Sequence, residues 1–241
     1  MEKPYLEACF SPAIFSRHDC RGVNVVVIDI FRASSAICTA FENGAAMIIP
    51  VREVEDARQY KEKGFLVAAE RDGIVLDFAD FGNSPFNFTS ERVKNRTIAY
   101  STTNGTKIIE MTSGSRNTAI GSFLNISALT TWLIKEKRDV LLFCAGWKDK
   151  FNLEDTVCAG AIASRLMESG EFRTICDSVH AAIDLWKLAE PDPLEYLQKA
   201  AHRSRLRDKG LDDCIEFCLK PDFTGIIPVI KDGNLVPLRP A

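Results

Sequence analysis

The segment NVVVIDIFRASSAICTAFE places Asp29 and Arg32 behind a run of β-branched apolar residues and ahead of Ser34 and Ser35. A carboxylate at the end of a buried strand is costly to desolvate unless a cation or a hydrogen-bond donor meets it. Asp29 therefore either pairs with Arg32 to close the strand or helps to hold a metal ion. AERDG repeats the theme with Glu70 and Arg71, and a guanidinium offers phosphate or carboxylate a planar fork of donors. A solvated surface loop accounts for those residues almost as well.

Three polar loops add anion chemistry. DFADFGNSPFNF sets Asn83 and Ser84 in a turn anchored by Phe78, Phe81, Phe86 and Phe88. YSTTNGTK runs a strand into Thr102, Thr103, Asn104 and Gly105, whose hydroxyls and amides suit either an oxyanion or a helix cap. The spacing is not that of a Walker A loop. GSFLN repeats the design with Ser122 and Asn125, where capping is the simpler reading. CAGWKDKFNLEDTVCAG then supplies Lys148, Asp149, Glu154 and Asp155. The last two acids favour a helix N-terminus, and they could equally share a divalent cation with Asp29, since magnesium often uses only one or two carboxylates.

These residues need elements to hold them. Apolar β-branched runs predict strands near 25–30, 46–51, 66–69, 97–101, 118–121 and 140–145. Helical patterns cover 35–43, 53–63, 105–111, 124–137, 153–169, 178–188, 193–208 and 211–219, with stop signals at Asn43-Gly44, Ser169-Gly170 and Lys209-Gly210. GIIPVIKDGNLVPL reads as a hairpin around Asp232-Gly233. The alternation predicts one α/β domain over 1–241, three-layer α/β/α, with a largely parallel or mixed sheet. A faint echo between the Asp29 and Glu154 segments suggests two similar halves, about 1–120 and 121–241. Ligands of such sheets bind beyond the carboxyl ends of the strands, where all the residues above fall.

The 241 residues carry 30 basic and 33 acidic side chains, a net charge of -3 and 46% apolar content. Interleaved charge gives no reason to expect nucleic acid or anionic lipid as partner. No leader-like or membrane-length apolar run occurs, so a soluble, cytoplasmic protein is expected. Eight cysteines without a CxxC pair read as buried reduced thiols. A homodimer is an expectation from size and class only.

VVVIDIFRASSAICTAFENGA, AERDG with DFGNSPFNF, STTNGT, GSFLNISAL, CAGWKDKFNLEDTVCAGAI and HRSRLRDKGLDDCIEFC resemble, in this order, the 2-phosphosulfolactate phosphatases of the ComB family. The likeness covers most of residues 24–230. It implies a Mg²⁺-dependent phosphatase that hydrolyses 2-phosphosulfolactate, or a related phosphorylated 2-hydroxy acid, in a step toward coenzyme M. Under that reading Asp29 with Glu154 or Asp155 holds Mg²⁺, while Arg32 and Arg71, beside Glu70, face the substrate. His202 and Arg203 either reach the sulfonate, serve as acid, or belong to a solvated basic helix face. Three rivals stand beside it. An aspartyl-phosphate mechanism of the haloacid dehalogenase type needs a second Asp where this chain has Phe31. Cys144 at a strand end could be a thiol nucleophile with His180 or His202 as base. A non-catalytic binding protein for a phosphorylated metabolite would use the same donors.

Overall fold

The computed structural model describes residues 2–102 and 105–240. Its strands are β1 (Leu6–Cys9), β2 (Asn24–Ile28), β3 (Met47–Pro50), β4 (Leu66–Arg71), β5 (Ile74–Val75), β6 (Thr97–Ser101), β7 (Asn117–Gly121), β8 (Val140–Cys144), β9 (Ile227–Lys231) and β10 (Asn234–Leu238). The helices are α1 (Ala33–Glu42), α2 (Val54–Glu62), α3 (Ser90–Val93), α4 (Gly105–Met111), α5 (Ile126–Glu136), α6 (Leu153–Glu168), α7 (Asp177–Ala189), α8 (Pro193–Tyr196), α9 (Ala201–Asp208) and α10 (Ile215–Cys218).

One mixed sheet runs in the order β1-β8-β2-β7-β9-β10-β3-β6-β4-β5. Two parallel blocks, β1-β8-β2-β7 and β3-β6-β4, are stitched together by the antiparallel hairpin β9-β10. The hairpin turns through Asp232 and Gly233, both at positive φ, as the Asp-Gly signal predicts. The blocks run in opposite senses across the hairpin. Five strand steps separate β2 from β6, and a twist of about 20–25° per step turns the second block by roughly 100–125° relative to the first.

Burial follows the pleat. Val26 and Ile28 of β2 join Leu129, Leu133, Val157 and Ala161 of α5 and α6 in one core. Val25 and Val27 point the other way, onto Ala36, Ile37 and Ala40 of α1, in a core that also holds Ile48, Ile98 and Tyr100 of the second block. Nine of the ten residues of α1 are buried, so this helix fills the space between the blocks. The result is the expected three-layer α/β architecture with a mostly parallel sheet.

The segment expected as one helix over 193–208 is broken. Asp192 caps α8 through the Glu195 N–H, a 3-10 turn follows at Leu197–Lys199, and Ala200 takes an extended conformation (ψ 127°) before α9 starts. The 211–219 helix shrinks to α10. β1 and β5 escaped the sequence reading because four and two residues carry too little periodicity. A boundary near residue 120 does not divide the sheet, since β1 and β2 both pair with β8. All eight cysteines are free. Among the described residues no helix is long and apolar enough to cross a membrane.

The closest helix approach has a checkable consequence. A Cβ on Gly160 of α6 would lie 2.0 Å from the Ala182 carbonyl of α7, a backbone atom that cannot swing away. Gly160→Ala is expected to destabilise the fold by about 1–3 kcal/mol, read as a lower urea midpoint with an unchanged slope.

Candidate active site

Asp29 leaves β2 with its backbone fixed from both sides. Its N–H donates to Ser34 Oγ (2.9 Å) and its carbonyl accepts from the Ser34 N–H (2.7 Å). The Asp29 carboxylate accepts from the Ala33 N–H at the start of α1, the position at which helix amides meet an anion. Burial pushes its pKa up to about 6; His202 opposes the shift, whereas the charges of Glu154 and Glu70 add to it.

Asp155, 1% exposed, accepts the Ile30 N–H on one oxygen and the Gly146 N–H on the other, both at 3.0 Å. It thereby ties the loop after β2 to the loop after β8. Burial, and then the charges of Asp29 and Glu154, hold its carboxyl well above the usual range. Glu154, also 1% exposed, accepts from His202 Nδ1 at 3.0 Å through Oε1, while Oε2 is buried without a hydrogen-bond partner among the described residues. Three carboxyls thus share one buried corner with a single imidazole. A buried carboxylate oxygen without a donor is where a cation is wanted.

Among the described residues no three His, Cys, Asp or Glu side chains close on a point as a full cage. Magnesium asks for less, because it keeps several waters and takes one or two carboxylates. The hard oxygens of Asp29 and Glu154 therefore fit Mg²⁺, with Asp155 engaged on backbone amides.

The second block contributes the opposite wall. Tyr100, at the end of β6, donates to Asn83 Oδ1, and burial followed by the charges of Asp29 and Glu70 raises its pKa. Glu70 Oε2 accepts the Gly73 N–H at 2.5 Å and closes the turn into β5. Arg71 knits strand ends together, donating to Glu70 O (2.7 Å), Ser101 Oγ (3.0 Å) and Arg52 O (3.1 Å). Arg32, 4% exposed, donates to Leu211 O at 3.3 Å and lies against the Cys214 thiol, which also touches Ser84. Lys148 pairs with Asp72 across the rim (3.3 Å).

Several residues expected on the anion are occupied by the scaffold. Ser35 donates to Ile30 O (3.0 Å) and lies 3.2 Å from Ser122 Oγ. Ser122 and Asn125 form a capping box, and Asn125 also donates to Ile120 O (3.1 Å) and Ile226 O (3.3 Å). Arg203 donates to Leu194 O at 2.5 Å, since adjacent helix residues point about 100° apart and His202 takes the site-facing position. Thr102 is buried at the end of β6 and α4 begins at Gly105. Thr103 and Asn104 lie outside the described residues. Cys144 is fully buried and burial drives its thiol well above the ordinary value, the reverse of a nucleophile's setting, while His180 is exposed on α7.

Sequence reasoning missed Tyr100, Trp147, Cys214 and Arg205. Trp147 is the third residue beyond the end of β8, and its ring centre lies 5.4 Å from that of His202. Cys214 is drawn down to about 7 by a hydrogen bond from Cys218, against the effect of burial, with Arg32 assisting. An aromatic at a strand end and a basic helix were the available signals; their meeting was not, because it depends on the break at Ala200.

Residues 9–233 match the family model described as 2-phosphosulpholactate phosphatase. A probable 2-phosphosulfolactate phosphatase of Thermotoga maritima is 38% identical over 218 residues, covering 90% of this chain and 92% of the relative. Proteins of the same description from Caldanaerobacter subterraneus and Clostridium acetobutylicum are 36% and 33% identical, covering 89% and 88% of this chain and 90% and 91% of theirs.

The Asp29 shift sets a stability test. A carboxyl with a folded pKa near 6 and an unfolded value near 3.8 binds its proton more tightly when folded, so it lowers stability as pH rises through that window. Above it the metal-free protein bears the whole penalty, which Asp29→Asn removes. In EDTA at neutral pH the variant is expected to melt roughly 3–6 °C higher than wild type, the equivalent of about 1–2 kcal/mol, with the difference closing near the unfolded pKa. Scanning calorimetry checks it; equal melting temperatures at neutral pH would contradict the buried charge.

Proposed function

Because the chain belongs to the 2-phosphosulpholactate phosphatase family, we propose that it is a Mg²⁺-dependent phosphatase that cleaves 2-phosphosulfolactate, or a closely related phosphorylated 2-hydroxy acid, to the hydroxy acid and inorganic phosphate. The observation that supports the metal requirement is Glu154: one oxygen held by His202, the other buried without a donor among the described residues, beside the raised carboxyl of Asp29. Asp29 and Glu154 would hold Mg²⁺, which when bound offsets phosphoryl charge and acidifies a water.

The chain's own groups supply the rest. Phosphoryl transfer needs positioning and charge stabilisation more than covalent chemistry. Arg32 is anchored by Leu211 O with guanidinium N–H groups left to face phosphoryl oxygens. The α1 amide end and the Asp155-fixed loops exclude slack from that geometry. His202 keeps a proton on Nδ1 toward Glu154, so its Nε2, when protonated, can deliver a proton to the departing ester oxygen. Water adds to phosphorus, the ester C–O–P link breaks on the phosphorus side, and the alcohol leaves protonated.

Phosphate release from 2-phosphosulfolactate should require Mg²⁺, stop in EDTA and return on adding the ion. Asp29→Asn and Glu154→Gln should each lower kcat/KM by roughly 10²–10⁴, the range for loss of a charge-stabilising or proton-transfer group, with folding intact by circular dichroism. Cys144→Ser should stay within about tenfold of wild type, a barrier change of about 1.4 kcal/mol. A metal-independent reaction abolished by Cys144→Ser would restore the thiol reading.

A further inference from the structure

α9 carries three arginines, at 203, 205 and 207. Arg203 is bound to Leu194 O at 2.5 Å, and Arg207 pairs with Asp212 at 3.6 Å and reaches Gln198 at 3.4 Å. Arg205 is placed differently: its Cζ lies over the Trp147 ring, 5.0 Å from its centre, and its Nε, like that of Arg203, is buried with no acceptor among the described residues. It stands one turn beyond His202 on the same helix face, and Trp147 is shared between the two side chains.

Among the described residues no acid forms an ion pair with this guanidinium; Glu154 pairs with His202 and Asp212 with Arg207. A guanidinium N–H buried without an acceptor keeps its desolvation cost unmet. Placed over an indole face, the same group can receive an oxyacid through its planar fork. A phosphorylated sulfolactate brings such an acid: besides the phosphate, which Arg32 and the Asp29–Glu154 corner address, it carries a sulfonate and a carboxylate that are not transferred.

Building on the phosphatase reading above, we infer that Arg205, lying over Trp147 beside His202, is a specificity-determining residue that receives a non-transferred acid group of the substrate. The enzyme then selects phosphate esters of acid-bearing alcohols over simple esters. Sulfonate and carboxylate share the recognising chemistry, and the test separates them.

The intact protein is assayed with phosphate esters of lactate (carboxylate only) and of 2-hydroxyethanesulfonate (sulfonate only), and with p-nitrophenyl phosphate (neither), as wild type, Arg205→Met and Arg205→Lys. Arg205→Met should lose at least about tenfold more kcat/KM on one acid-bearing ester than on p-nitrophenyl phosphate, chiefly through KM, with partial recovery in Arg205→Lys. The ester that bears the larger loss identifies the group. Equal losses on all three esters overturn the inference, since a merely structural arginine would act on every substrate alike. Calorimetric titration with 3-sulfolactate judges Arg205 without turnover: binding by wild type that weakens at least about tenfold in Arg205→Met supports it, and equal affinity or no binding overturns it. Wild type that binds 3-sulfolactate yet releases phosphate from no ester would sink the phosphatase reading and leave the assignment of Arg205 standing.

Discussion

Asp155 is a buried carboxylate that spends both oxygens on backbone amides of two different loops. Remove that bridge and the turn carrying Asp29 and Arg32 loses its register against the turn carrying Trp147 and the start of α6. The arrangement is held under electrostatic tension, because beyond the effect of burial the charge of Glu154 raises the proton affinity of Asp29 and Asp155, and Asp29 that of Asp155. Helix amides at the start of α1 relieve part of it. A divalent ion fits the part that remains, so the same repulsion that weakens the metal-free protein would become affinity for the ion.

The corner is assembled from distant chain segments by one buried helix. α1 is enclosed by both parallel blocks, and the turn that leads into it presents Asp29 and Arg32 where the twisted sheet brings the ends of β4 and β6 opposite the end of β2. Arg32 then reaches Leu211, 179 positions away, which fastens the loop before α10 over the site. Below that loop the extended residue Ala200 turns α9 inward. His202 gains Glu154 and Arg205 gains Trp147 by that turn alone.

Much of this was legible in the residues. The strand ends that carry Asp29, Glu70 and Tyr100, and the helix start that carries Asp155, could be placed to within one or two residues, because β-branched runs and helix-terminus residues are local signals. The Asp-Gly hairpin was equally plain. What pattern could not supply was partnership. Nothing local distinguishes Ser122 as a cap, Arg203 as a brace on α8 or Arg205 as a guanidinium without an acid, since each outcome depends on which loop lies across from it. The helix break at Ala200 was hidden for a related reason: alanine favours helix, and the extended conformation there is imposed by tertiary packing.

The hairpin β9-β10 lies later in the chain than every residue of the acid corner, yet among the described residues it is what joins the two parallel blocks edge to edge. On the ribosome, each block can therefore form its own ladder early while the seam between them stays open. Binding competence then arrives as a late event, when the closing strands emerge and lock the halves in register, and a chain stalled before them would hold all its acids and arginines without a common cavity.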